Sequence, residues 1–180
     1  EETCGARLTM NYNIPGGLMF DIHPNFVQSV KDFIAHFKTK LPEYDTLLTG
    51  SIIFQKRTKG VGILSKEDAI SFGASGPVGR GSGYSCDVRK HHPYSALDKV
   101  EFKEILKTEG DTFARYQVRI EEMWESMYII EQLIDAIPEG DYKVATNAVI
   151  KLPKGEFYQK VETARGELGV YIISTGTKNP

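Results

Sequence analysis

The chain has little cysteine. Cys4 and Cys86 are the only two in 180 residues, far apart and outside any CxxC pair. Alone they cannot build a multi-cysteine metal or cluster site. With no secretory signal in view, reduced thiols are the expected state. No apolar run approaches the roughly 20 residues that span a bilayer, so membrane association would go through partners or a surface helix. Charge of one sign is also missing. The net charge is −2, and Lys and Arg are spread along the chain, which excludes a basic field recruiting nucleic acid or an acidic membrane. There is no internal repeat and no low-complexity segment. Position 1 is Glu, and the chain ends at Gly176-Thr-Lys-Asn-Pro180, just after an apolar run. Both ends read as cuts, so residues 1–180 are expected to be a single truncated domain, an internal fragment of a longer subunit.

What is present is ordinary globular composition, 41% hydrophobic and 26% charged. Residues 7–14 alternate loosely and predict a short strand closed by Pro15-Gly16-Gly17. After His23-Pro24, Phe26, Val27, Val30, Phe33, Ile34 and Phe37 recur at helical spacing, and Pro42 is expected to stop that helix. A helical turn over 43–49 ends at Gly50, and 51–57 is extended or helical. Ser65-Lys-Glu-Asp68 is a capping-box pattern for a two-turn helix ending at Gly73. Residues 100–105 alternate as a possible strand. Thr108-Glu-Gly-Asp111 caps the longest helix, with an apolar stripe of Phe113, Tyr116, Ile120, Met123, Met127, Ile130, Leu133, Ile134 and Ile137. About 26 residues would run roughly 39 Å. In the tail, Arg165–Gly169 reads as a turn and 170–174 as a strand, with a hairpin across Gly166–Gly169. The expected fold class is α+β, a helical core around one long spine helix with short β segments.

One stretch stands apart. Residues 76–94 combine Gly76, Gly79, Gly81, Gly83, Pro77 and Pro93 with Arg80, Asp87, Arg89, Lys90, His91 and His92. That composition argues against regular structure and for a placed loop. His91 and His92 are adjacent, so they point to different sides and make a poor pair of metal ligands. Gly79-Arg-Gly-Ser-Gly83 lacks both the GxGxxG spacing and the Gly-Lys-Ser/Thr end of a phosphate loop. Glu121, Glu122 and Glu125 are expected on the solvated face of the long helix, paired with Arg115 and Arg119. No Ser–His–Asp or Cys–His spacing points to a nucleophile.

Gly76-Pro77 through Phe102 closely resembles a signature of the large quinone-reducing subunit of respiratory complex I, the 49-kilodalton type of NADH-quinone oxidoreductase. That family shares its fold with the large subunits of nickel–iron hydrogenases. Further segments match in the family's order. They are Gly5-Ala-Arg7 through Tyr12 with Pro15-Gly-Gly17, Arg57-Thr through Gly62, Tyr116 to Ile130 with its Arg-Ile-Glu-Glu-Met, and Glu162-Thr-Ala-Arg-Gly-Glu-Leu-Gly-Val-Tyr171. Carried over position by position, the motif residues are Arg7, Thr9, Arg57, Arg80, Asp87, Arg89, Tyr94, Glu162, Arg165 and Glu167. The resemblance implies structural or interface roles for them, with ion pairs among Arg80, Asp87 and Arg89 holding the loop.

The resemblance also implies a partner bearing the terminal [4Fe–4S] cluster, a quinone cavity formed with that partner, and membrane-arm subunits through which proton translocation is coupled. It places the protein peripherally on the cytoplasmic side of the membrane. No catalytic residue and no bound cofactor or metal is expected within these residues, because the family's quinone-contacting groups fall outside them. Thr9 departs from the pattern, standing where the family usually has a His close to the cluster, and Ala164 stands where Pro is common. An energy-converting nickel–iron hydrogenase large subunit, or a scaffold that kept the fold and lost both sites, are the alternatives.

Overall fold

The computed structural model describes Thr3, Gly5, residues 12–147 and residues 151–177. The first elements are a minimal antiparallel hairpin, β1 (Asn13–Ile14) and β2 (Gly17–Leu18). The strand expected over 7–14 is therefore seen only in its last two residues, 7–11 lying outside the described residues. The segment after the longest helix returns to this hairpin. Leu18 N–H donates to the Tyr142 carbonyl (3.0 Å) and Val144 N–H to the Gly16 carbonyl (2.9 Å).

Helix α1 (Phe26–Tyr44) runs past Pro42 instead of stopping at it. A proline near a helix end removes one N–H where the ladder is already loosening. The chain then widens into a π-helical turn, Asp45–Thr49, closed by Gly50 N–H donating to the Asp45 carbonyl (2.7 Å). Helix α2 (Ile52–Thr58) starts at Ser51, whose Oγ accepts from Phe54 N–H (3.3 Å). Helix α3 (Lys66–Ser71) is capped as expected, Ser65 Oγ accepting from Asp68 N–H (3.0 Å). The acid answers by accepting from the serine hydroxyl (2.8 Å) and not from its backbone.

The stretch 76–94 is more regular than its composition suggests. It contains two short helices, α4 (Gly76–Gly81) and α5 (Val88–His91). Pro77 sits in the first turn of α4, where its missing N–H costs nothing. Asp87 caps α5, its Oδ1 accepting from Arg89 N–H (2.9 Å).

Helix α6 (Thr112–Leu133) is the spine, 22 residues long and about 33 Å at the helical rise. Asp111 caps it, Oδ1 accepting from Ala114 N–H (2.7 Å) while Oδ2 accepts from Gly60 N–H (2.8 Å). Its buried residues are Phe113, Ala114, Val118, Met127 and Ile129. The face turned inward is thus rotated from the predicted stripe: Ile130 is 37% exposed and Val118 is fully buried. The cause is that α6 is covered on two sides. Ile34 and Leu41 of α1 pack on Met127, while Val100 and Phe102 pack on Ile129.

The strand expected at 100–105 does not form. This segment runs extended along α6, whose side chains take the place of a strand partner. Gln132 accepts from Glu101 N–H (2.9 Å) and donates to its carbonyl (2.7 Å), and Glu125 accepts from Lys103 N–H (2.8 Å).

The tail is one long antiparallel hairpin, β3 (Gly155–Thr163) with β4 (Gly166–Ser174). Its turn is at Ala164-Arg165, so Gly166–Gly169 belong to β4 and not to the turn expected there. The fold is a mixture of helices and short antiparallel sheets, in keeping with the expected mixed class. Among the described residues no helix is long and apolar enough to cross a membrane.

Candidate functional site

The site is built where α4, α5, α6 and the β3–β4 hairpin meet. Arg80 in α4 is its centre, with 1% of its surface exposed. Its Nη1 donates to Glu162 Oε1 of β3 (2.9 Å), and its Nη2 lies 2.7 Å from Glu122 Oε1 of α6. Asp87 Oδ2 is 3.9 Å away and belongs chiefly to Arg89, whose Nε and Nη2 hold both its oxygens (Nε 3.0 Å to Oδ1, Nη2 2.7 Å to Oδ2). Such a fork matches a carboxylate in plane and is stronger than a neutral hydrogen bond. The Arg89 guanidinium also rests over the Phe102 ring at 5.1 Å, as the Lys90 ammonium does at 4.0 Å.

Backbone groups complete the network. Glu162 Oε2 accepts from Val88 N–H (3.2 Å). The Tyr94 hydroxyl accepts from Glu162 N–H (3.1 Å) and donates to its carbonyl (3.4 Å), pinning the hairpin to the segment after α5. Glu104, on the extended segment, accepts at Oε1 from both Cys86 N–H (2.9 Å) and Asp87 N–H (3.0 Å). The remaining weak points are the Arg80 Nε, buried without an acceptor, and the Glu122 contact, close as an ion pair but not aligned as a hydrogen bond.

Electrostatics follow from this packing. Burial alone would push the Asp87 carboxyl up, but Arg89's hydrogen bonds and charge, with Arg80 behind, hold it below the ordinary range. Burial wins at Glu122, whose carboxyl is pushed up despite Arg80 and Arg89. Burial also raises the Cys86 thiol to about 11, helped by Glu104 and Glu162. A thiol held so strongly protonated is a poor nucleophile and a poor cluster ligand.

A close approach of backbones locks the hairpin to α4. Gly76 has φ +61°, and a methyl there would lie 2.6 Å from the Arg165 carbonyl oxygen and inside contact distance of Gly166 Cα. Only glycine fits that crossing. Ser75 Oγ accepts from Glu167 N–H (3.1 Å) beside it.

Of the motif residues, the structure brings together Arg80, Asp87, Arg89, Tyr94 and Glu162. Arg165 stands at the hairpin turn with its side chain exposed. Glu167 lies on the hairpin surface, bound by the Tyr158 hydroxyl (2.7 Å) and Lys160 (3.0 Å). Arg57 is exposed in the last turn of α2, away from the network. Arg7 and Thr9 lie outside the described residues.

The pairing expected along α6 is not the one formed. Arg115 donates to the carbonyls of Gly110 (2.7 Å) and Gly62 (2.9 Å), Arg119 donates to the Arg115 carbonyl (2.8 Å), and Glu121 pairs with Lys107 (2.6 Å). Glu122 turns inward to Arg80. Neither this role nor that of Glu104 is foreseen from the sequence. A signal existed for Glu122, which continues the buried row Ala114–Val118 at four-residue spacing. None existed for Glu104, whose role depends on a segment that is extended without being a strand.

Chemically, the cluster compensates buried charge and presents no activated nucleophile. Ser85 Oγ lies 2.9 Å from His91 Nε2 and donates to Glu104 (2.6 Å). Ring and acid share the hydroxyl, and the ring does not stand between hydroxyl and acid as a general-base relay requires.

Comparison with known proteins agrees with this architecture. The family model described as the respiratory-chain NADH dehydrogenase 49 Kd subunit matches residues 1–151 and 143–180. The chain is 58% identical over all 180 residues to the NADH-quinone oxidoreductase C/D subunit of Phocaeicola vulgatus, covering 35% of that protein. It is 42% identical over its full length to the NADH-quinone oxidoreductase D subunit of Clostridium beijerinckii, covering 49% of that protein. Among solved structures, a chain of the membrane-bound sulfane sulfur reductase, an archaeal respiratory membrane complex, superposes with a TM-score of 0.89 at 38% identity. The match covers 98% of this chain and 49% of that one. The chain therefore spans about a third to a half of the length of these relatives.

Proposed function

The chain belongs to the 49-kilodalton-subunit family of the respiratory-chain NADH dehydrogenase, and from that premise we propose that it is part of a subunit walling the quinone-reduction cavity of a proton-translocating NADH:quinone oxidoreductase. The carrying observation is the full-length 58% identity to a relative named as the C/D subunit of NADH-quinone oxidoreductase. The geometry supports a wall rather than a reaction centre: Arg80 and its partners hold four elements in one arrangement without offering a reactive group.

The iron–sulfur cluster implied by the resemblance does not fit these residues. A [4Fe–4S] cluster is held by four thiolates, and this chain has two cysteines. Burial holds the Cys86 thiol protonated up to about 11, with Glu104 and Glu162 adding to it. In this reading the cluster belongs to a partner, and this chain supplies the shape against which partner and quinone are seated. A peripheral position on the cytoplasmic side of the membrane, and the hydrogenase-large-subunit class of the fold, go with it.

The acceptor is the point to measure, because the solved neighbour comes from a complex named for sulfane sulfur. The full-length protein should be purified in its native complex and supplied with NADH and a short-chain quinone. Steady quinone reduction that disappears when the gene for this protein is deleted is the expected result. A complex that reduces sulfane sulfur or protons, and not quinone, overturns the reading.

A further inference from the structure

Between α6 and the β3–β4 turn lies a cavity of about 520 Å³. Four arginines line it, Arg80, Arg89, Arg119 and Arg165, together with Glu122 and Glu162. In the inner part both cations are committed, to three carboxylates. Arg80 holds Glu122 and Glu162, and Arg89 holds Asp87 behind it. The two outer cations are not. Arg119 and Arg165 are exposed, and among the described residues neither has a carboxylate partner; Arg119 is held only by its Nη1 donating to the Arg115 carbonyl (2.8 Å). Four cations stand against three carboxylates, so the cavity carries a net positive charge of one, with both uncommitted guanidinium groups at its mouth.

The chemistry of the walls selects the guest. A carboxylate carries the single charge that is missing and fits a guanidinium fork in plane. Phosphate, with more charge, would meet Glu122 and Glu162 at closer cost. Met123 and Ala164 add apolar wall suited to the methylenes of an acidic side chain.

We propose that this cavity receives an aspartate or glutamate side chain of an adjoining subunit, clamped by Arg119 and Arg165. The inference rests on the proposed function, in which the chain works inside a multisubunit complex.

The test uses the full-length protein in its purified complex, carrying Arg119→Lys or Arg165→Lys. A water-soluble carbodiimide joins an amine to a carboxylate that touches it, and peptide mapping by mass spectrometry locates the bond. The expected product is an isopeptide link from position 119 or 165 to an Asp or Glu of another subunit. In parallel, the wild-type complex is titrated calorimetrically with glutarate and with inorganic phosphate, and neither should bind more tightly than ~1 mM. Links confined to this chain, such as one to Glu122, or no link at all, overturn the proposal. So does tight binding of glutarate or phosphate without an intersubunit link, which would make the cavity a small-anion site. If the protein enters no complex, the functional reading fails as well; if it enters one without the link, the cavity assignment fails alone. Because both substituted side chains are exposed and keep their charge, circular dichroism melts should match the parent.

Discussion

Arg80 is the residue on which most of the buried charge depends. Removing one member of a buried ion-pair cluster strands the others, a loss of about 3–5 kcal/mol. Arg80→Met should therefore lower stability by that order in urea denaturation, since Glu122 and Glu162 both lose their cation. Arg80→Lys should recover only part, because an ammonium cannot address two carboxylates with separate fork nitrogens. Asp87 sets a pH dependence of definite sign. Its folded pKa lies below its ordinary value of 3.8. The stability it contributes is therefore complete above that value and lost as pH falls through the folded one. Denaturation midpoints of the parent should drop as pH falls below about 4, the ordinary Asp range, and Asp87→Asn should flatten that drop while lowering stability at pH 7. Glu122 has the opposite sign: its carboxyl is raised, so its contribution is present at low pH and fades as pH rises.

Among the elements, the segment 100–106 shows how side chains can substitute for a strand neighbour. Gln132, Glu125 and Glu104 between them hold the extended backbone to α6 and the backbone of 86–87 to the extended segment. Glu104→Ala should leave the amides of Cys86 and Asp87 without an acceptor. Hydrogen exchange at those two amides should then accelerate by at least about tenfold, for one lost hydrogen bond of roughly 1.4 kcal/mol, while amides in the middle of α6 stay protected. The helix caps were readable beforehand because a cap is a local contract between a side chain and an amide three residues on: Ser65 and Asp111 both behave as their spacing says. The end of α1 is not, because Pro42 falls where the helix passes into a π turn, which no proline rule marks. The hairpin turn also lies ahead of the glycines that suggest it. Gly166 reads as a turn glycine, but its small size serves the crossing with Gly76.

For the molecule as a unit, the network joins α4, α5, α6 and the β3–β4 hairpin into one block, and the proposed function makes that block a docking surface for other subunits. Arg80→Ala in the full-length protein should reduce the amount of assembled complex, read by native gel, more than it changes the concentration of quinone giving half-maximal rate. Normal assembly with selective loss of quinone reduction would instead put Arg80 in contact with substrate. Residue order alone was enough for the helical spine, its cap, the mixed α and β class, and membership in the family. These are properties of local spacing and of motif order. Of the ion pairs expected among Arg80, Asp87 and Arg89, the one between Asp87 and Arg89 forms within the loop, while Arg80 reaches out of it to Glu122 and Glu162. Folding in three dimensions was needed to turn Glu122 inward, to let Glu104 gather the amides of 86–87, to lay 100–106 extended without making it a strand, and to leave Arg119 and Arg165 facing an open cavity. The contacts of Glu122 and Glu104 and the course of 100–106 depend on groups far apart in the chain being brought within about 3 Å, the reach of a hydrogen bond; the spacing that buries Glu122 is local, but the partner it meets is not.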